Sequence, residues 1–172
     1  MNIANALTIE GWMEPQELLW LARQAESHLC IVEIGSYKGR STRALADNTP
    51  GLVVAIDDFS GPREIEITNR DLIFNQFLEN MVGTDGHLQV IRADHRHLPA
   101  LDFSPDMVFI DGAHEYEAVK ADIELWKRWL KPGGLLCGHD YWQGFEGLKQ
   151  AVHELIPDFK VASNTTIWYT TV

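Results

Sequence analysis

A single-domain α/β fold is what this 172-residue sequence predicts: a mostly parallel, seven-stranded sheet with helices on both faces and an antiparallel C-terminal hairpin. Three observations carry that expectation. Short apolar runs alternate with amphipathic helical patterns along the chain. Several of those runs carry an acidic residue at or just past their C-terminal end, as strands leading into a ligand face do. The tail alternates over residues 159–162 and 166–171 about Ser163-Asn164-Thr165, which reads as a β-hairpin.

The elements follow in order. Pro15 suits the first turn of a helix over residues 15–27, with Leu18, Leu19, Leu21, Ala22 and Ala25 mostly on one side. A strand over 30–34 is followed by a helix over 41–47. A second strand over 52–56 runs into Asp57-Asp58. Residues 59–68 read as an irregular loop, and Thr68 with Asp71 as a capping pair opening a helix through Leu72, Ile73, Phe77, Leu78 and Met81. The third strand spans 88–91 and leads to Ala93-Asp94; the fourth spans 107–110 and ends at Asp111-Gly112. A long helix over 115–130 is stopped by Lys131-Pro132-Gly133-Gly134. The fifth strand, 135–137, reaches His139-Asp140, and a last helix covers 145–156 before Pro157.

Composition narrows the function classes. With 45% apolar residues the chain can bury a core, and a net charge of −11 argues against general nucleic-acid binding, which needs Lys and Arg to neutralise phosphates. No run approaches the length of a membrane span and no basic, then apolar, leader opens the sequence, so a soluble cytoplasmic protein is expected. Cys30 and Cys137 sit in apolar runs and read as free thiols.

The most informative segment is Val32-Glu33-Ile34-Gly35-Ser36-Tyr37-Lys38-Gly39-Arg40-Ser41-Thr42. Its glycines stand four apart, unlike the G-x-G-x-x-G that cradles a dinucleotide pyrophosphate, and Glu33 would repel phosphate. The pattern suits a ligand with a cationic amino-acid end and a ribose, for which S-adenosylmethionine (SAM) is the natural candidate.

With Ala55-Ile56-Asp57, Phe109-Ile110-Asp111-Gly112-Ala113-His114-Glu115-Tyr116, Leu130-Lys131-Pro132-Gly133-Gly134 and Gly138-His139-Asp140-Tyr141-Trp142, that segment makes the chain resemble class I SAM-dependent methyltransferases over nearly its whole length. Within them it is similar to the small group related to sugar and antibiotic O-methyltransferases and cephalosporin hydroxylase-like proteins. The resemblance implies the Rossmann-like class I methyltransferase fold. It also implies O-methylation of a small-molecule or sugar hydroxyl, with residues 1–28 forming a helical segment able to cover cofactor or substrate.

Roles for residues follow from the resemblance. Asp57, with Asp58 beside it, matches the acid that holds the ribose; the alternative is a turn cap. Gly35 and Gly39 would admit the methionine portion, or serve turn geometry alone. Ser36 and Ser41 could meet the ligand carboxylate or cap the helix. Asp94 and His95 match the adenine contact, Phe59 could stack on adenine, and Trp12 could lie over the cofactor.

A second cluster stands at the ends of the fourth and fifth strands, which as neighbours lie about 4.8 Å apart. Asp111 and Asp140 there would repel unless a proton or a cation sits between them. Mg²⁺ is the natural ion, and the related sugar O-methyltransferases place metal-binding acids at these ends. The paired acids of that family become His139-Asp140 here, so a softer ion is acceptable if His139 or His114 coordinates. The alternative is that both aspartates cap backbone N–H groups. His114 could take the proton of the acceptor hydroxyl. Tyr141 and Trp142 could line an acceptor pocket, whereas Trp126 and Trp129 lie on a helix face that reads as core. Two other classes remain as alternatives: an NAD-dependent oxidoreductase and a non-catalytic SAM-binding or partner-binding module. A homodimer through the N-terminal helix or the hairpin edge is compatible with the sequence.

Overall fold

The computed structural model describes residues 1–61, 70–84, 86–99 and 102–172. Beyond residue 61 the expected irregular loop, and the Thr68 cap with it, lie outside the described residues. The elements are α1 (Ala4–Thr8), α2 (Pro15–Ala25), β1 (Cys30–Ile34), α3 (Arg40–Ala46), β2 (Leu52–Asp57), α4 (Arg70–Asn80), β3 (Leu88–Arg92), β4 (Met107–Ile110), α5 (Tyr116–Trp129), β5 (Leu135–Gly138), α6 (Glu146–Leu155), β6 (Lys160–Val161) and β7 (Trp168–Thr171). A single 3₁₀ turn covers His95–His97.

The sheet has seven strands in the order β3-β2-β1-β4-β5-β7-β6. Pairs β1–β2, β1–β4, β2–β3 and β4–β5 are parallel; β5–β7 and β6–β7 are antiparallel. The order reverses at β1, so the connections leaving β1 and β4 run to opposite faces, to α3 and α5, as they do where doubly wound sheets hold ligands. The expected α/β architecture with its closing hairpin is the one observed. Strands β2, β3 and β5 run one residue further than their apolar content indicates, because Asp57 pairs with Arg92, and Gly138 with Ile110 and Trp168.

Alternation along the strands builds two layers. Ile31, Val53, Met107, Phe109 and Cys137 pack beneath α1, α2 and α3; Val32, Val54, Val108, Ile110 and Leu136 pack beneath α5 and α6. Trp126 is buried in the second layer, with the half-buried Trp129 against it, as the helix pattern indicated. Both cysteines are free. Among the described residues no helix is long and apolar enough to cross a membrane.

The turn after β1 is held by close packing. Gly35 has φ +85°, and a Cβ there would lie 2.2 Å from the backbone carbonyl oxygen of Asp111 on the neighbouring strand end. Gly39, at φ +90°, would press a Cβ to 2.5 Å from Met81 Cε. Gly35→Ala therefore combines a left-handed backbone with a collision against main chain. It is expected to lose at least about 3 kcal/mol of unfolding free energy, read from the urea midpoint at unchanged m-value.

Candidate functional site

Glu33 is fully buried on β1, under the first turn of α3. The Ser36 hydroxyl donates to its Oε2 at 2.7 Å, and Thr42 Oγ1 donates to the same oxygen. Oε1 has no hydrogen-bond partner of proper geometry, although the Ser41 hydroxyl lies near enough to favour the charged form. Burial dominates and pushes the carboxyl up to about 7. Ser36 and Ser41 thus face Glu33 rather than a ligand carboxylate.

That burial has a measurable consequence. Between pH 4.5 and 7 the unfolded chain releases the Glu33 proton while the folded protein keeps it, so stability falls as pH rises through this window and levels off above it. Glu33→Gln removes the ionisation. The variant is expected to gain about 3 kcal/mol relative to the parent across that window, measured by urea unfolding at a series of pH values.

Asp57 staples the turn. Its Oδ2 accepts from the Ser36 and Tyr37 N–H groups at 2.8 and 2.7 Å, and Oδ1 accepts from the Phe59 N–H at 2.6 Å. Three donors leave one lone pair on Oδ1, rather than a carboxylate open to both hydroxyls of a diol. Asp58 is the freer acid, at the rim with its side chain 40% exposed and Oδ1 accepting from the Ser60 N–H.

Two expected cofactor contacts are corrected. Phe59 is fully buried against Phe74 and Phe77, with centroids at 4.8 and 5.3 Å, so its ring belongs to the core rather than to an adenine site. His95 Nε2 lies 2.7 Å from Asp122 Oδ1, the Asp122 carboxylate being buried; the imidazole is turned into the α5 side of the sheet. Asp94 caps the 3₁₀ turn and binds the Arg96 guanidinium at 2.9 and 3.0 Å, which holds its carboxyl down near 2. Trp12 is 62% exposed and tilts against Tyr37, with centroids 5.1 Å apart, beside the β1–α3 turn.

The acidic cluster forms as the strand ends required. Asp111, His139 and Asp140 offer ligand atoms all within 4.8 Å of one another. His139 Nδ1 lies 3.2 Å from Asp140 Oδ1 and 3.6 Å from Asp111 Oδ1. The other oxygen of Asp140 is 2.9 Å from His114 Nε2. Asp140 itself is a non-glycine residue at φ +64°, a strained backbone of the kind found at functional sites. His114 stacks on Phe145 at 3.8 Å, and Trp142 meets Phe145 edge-on at 5.7 Å. A cleft lined by Ile110, Asp111, His114, His139, Asp140 and Trp168 opens between them.

Glu17 was not singled out from the sequence. It is a buried acid on α2 whose Oε2 lies 2.9 Å from His139 Nε2. The same oxygen accepts from the Glu14 N–H, and Oε1 accepts from both the N–H and the hydroxyl of Thr166, each at 2.9 Å. One signal was present: Glu17 stands one turn before Leu21, on the apolar face of its helix. Although burial opposes its ionisation, the bonds from His139, Thr166 and Glu14 bring its carboxyl down to about 2. Burial likewise disfavours a charged His139, but Asp111, Asp140 and Glu17 outweigh it and the imidazole is pushed up to about 12. Bonds from His114 and His139 hold Asp140 well below the usual carboxylate range against its desolvation.

The methyltransferase-domain family matches residues 32–141, from within β1 to just past the Asp140 turn. The chain belongs to that family. This methyltransferase domain is 29% identical to the uncharacterized protein R132 of Acanthamoeba polyphaga mimivirus over 140 residues. Those residues are 77% of this chain and 61% of R132, so the chain spans less than two thirds of that relative's length. An O-methyltransferase from Bacillus cereus, solved in complex with SAH, aligns with a TM-score of 0.69 at 16% identity, covering 99% of this chain and 87% of its own. The O-methyltransferase TomG from Streptomyces achromogenes, involved in tomaymycin synthesis and solved with SAM, aligns at 0.66 and 17% identity, covering 94% and 82%. At these identities the likeness to both structures is one of fold.

Proposed function

We propose that this methyltransferase domain binds SAM and methylates an oxygen of a small-molecule acceptor, sugar hydroxyls included, with help from a divalent cation. The observation that carries the reading is the contact between two half-sites: the turn above the orphaned Glu33 Oε1 packs directly on the Asp111 backbone, beside the Asp111–His139–Asp140–His114 cluster. The similar solved structures that are O-methyltransferases, with SAM or SAH bound, support it.

The residues fit both groups. A buried carboxylate oxygen without a donor suits the ammonium of the amino-acid end, and the remaining acceptor sites of Asp57 and Asp58 suit the ribose. The contact of Trp12 with Tyr37 beside the β1–α3 turn supports a role for segment 1–28 in covering the cofactor. Bound SAM supplies a methyl on a sulfonium, which an acceptor oxygen takes by in-line displacement. Asp111, Asp140 and His139 Nδ1 form a compact mixed set that would hold Mg²⁺ or a softer ion, and such an ion would lower the pKa of the acceptor hydroxyl. Asp140 orients the His114 imidazole through its Nε2, and His114 is the residue assigned to take the acceptor proton. Phe145 stacks on that imidazole and is itself met edge-on by Trp142. The acidic net charge fits a cytoplasmic domain that acts on small molecules rather than on nucleic acid.

Calorimetric titration with SAM, SAH and NAD tests this. Micromolar binding of the first two and none of NAD is expected, with a proton released below pH 7 as Glu33 ionises against the ammonium. Silence with both adenosyl ligands overturns it.

A further inference from the structure

Resting on the cation site just proposed, we infer that Glu17 is its positioning residue: from α2 it fixes the His139 ring so that Nδ1 is the metal-facing nitrogen between Asp111 and Asp140.

The geometry leaves His139 one arrangement in which it can ligate. Its Nε2 points away from the two aspartates and lies 2.9 Å from Glu17 Oε2, a carboxylate that can only accept. Nε2 therefore carries a proton whenever this bond is made, so Nδ1, which faces Asp111 Oδ1 and Asp140 Oδ1, is the nitrogen that would give up its proton to a cation there. A carboxylate behind a ligating imidazole both orients the ring and raises its donor strength. Glu17 is itself immobilised by the Glu14 N–H on one oxygen and the two Thr166 donors on the other. With those bonds made it is an anchor that cannot swing aside.

Helix capping alone does not explain this residue. A capping glutamate at the third helical position needs only the Glu14 N–H and is ordinarily solvated, whereas Glu17 is 3% exposed and aimed at an imidazole 122 residues away. The resulting set of one imidazole and two carboxylates favours Mn²⁺, Fe²⁺ or Zn²⁺ over Mg²⁺, which prefers oxygen alone.

The test measures Mn²⁺ affinity by electron paramagnetic resonance of the free ion in the parent, Glu17→Leu, Glu17→Gln and Thr165→Val. Glu17→Leu is expected to weaken Mn²⁺ binding at least about tenfold. Glu17→Gln, which keeps an acceptor oxygen for Nε2–H, is expected to recover most of that loss. Thr165→Val removes two bonds of the hairpin turn, to the Ala162 carbonyl and from the Ile167 N–H, without touching Glu17 or His139; it is expected to lower the melting temperature and leave Mn²⁺ affinity unchanged. Equal affinity in Glu17→Leu and the parent overturns the inference, as does an equal loss in Thr165→Val, which would assign the effect to hairpin packing. Should Glu17→Leu not fold, ¹⁵N–¹H correlation of His139 in the Zn²⁺-loaded parent decides: a protonated Nε2 with a metal-shifted Nδ1 supports the assignment, and the reverse overturns it. A parent that binds SAM but takes up none of these ions removes the cation site itself, and this inference with it.

Discussion

Replacing Asp57 with alanine is expected to cost the protein about 4 kcal/mol of stability and at least a hundredfold in SAM affinity. The carboxylate collects the Ser36, Tyr37 and Phe59 N–H groups, and among the described residues no other acceptor is bonded to any of the three. Hydrogen bonds to a charged acceptor are worth about 1.5–3 kcal/mol each, and Asp57→Ala leaves three donors half-buried without partners. Solvent reaching the opened turn offsets part of that sum. For a domain of this size the loss corresponds to a fall of roughly 10 °C in melting temperature. The turn that these bonds hold shut lies above Glu33, so the cofactor pocket relaxes with it. Differential scanning calorimetry with and without SAM separates the two effects: the variant should melt early and gain little from the ligand.

The second large effect is expected at Asp140. Its two oxygens face different imidazoles, Oδ1 toward His139 and Oδ2 toward His114. Asp140→Asn keeps the side-chain shape, and asparagine tolerates the left-handed φ of +64°, so the fold should survive. The amide cannot accept from both rings at once, and it carries no charge for a cation. Turnover is expected to fall about 10³-fold, the usual scale for a misdirected proton acceptor, while SAM affinity stays within a few-fold of the parent. A rapid-quench measurement of single turnovers beside a SAM titration checks both halves. Equal losses in turnover and SAM affinity would place Asp140 in cofactor binding instead.

β1, β2, β4 and β5 were legible because each is a short apolar run paired on both sides, and β1 and β4 begin and end where the runs do. The acidic cluster was legible for the same reason, since neighbouring strands must bring Asp111 and Asp140 together. What stayed hidden depends on side-chain direction. Phe59 follows a strand end, as a cofactor-stacking ring would, yet its positive φ turns it inward onto Phe74 and Phe77. His95 sits beside Asp94 in sequence but reaches Asp122 on α5, a contact that no local pattern encodes. Glu17 was obscured by the Glu-Pro-Gln-Glu opening of its helix, which reads as ordinary capping. α1 escaped notice because five residues are too few to show a helical period.

The bonds of Glu17 also order events during synthesis. Its partners His139 and Thr166 lie 122 and 149 residues downstream. While the chain emerges from the ribosome, β1, α3 and β2 can dock, and the Glu33 turn can close, long before the second cluster exists. The buried glutamate stays without its main partners until β5 and the segment leading into β7 arrive, and loops of this length close slowly. A nascent chain arrested before residue 139 thus lacks the second cluster altogether, and with it the groups to which the proposed methyl transfer is assigned.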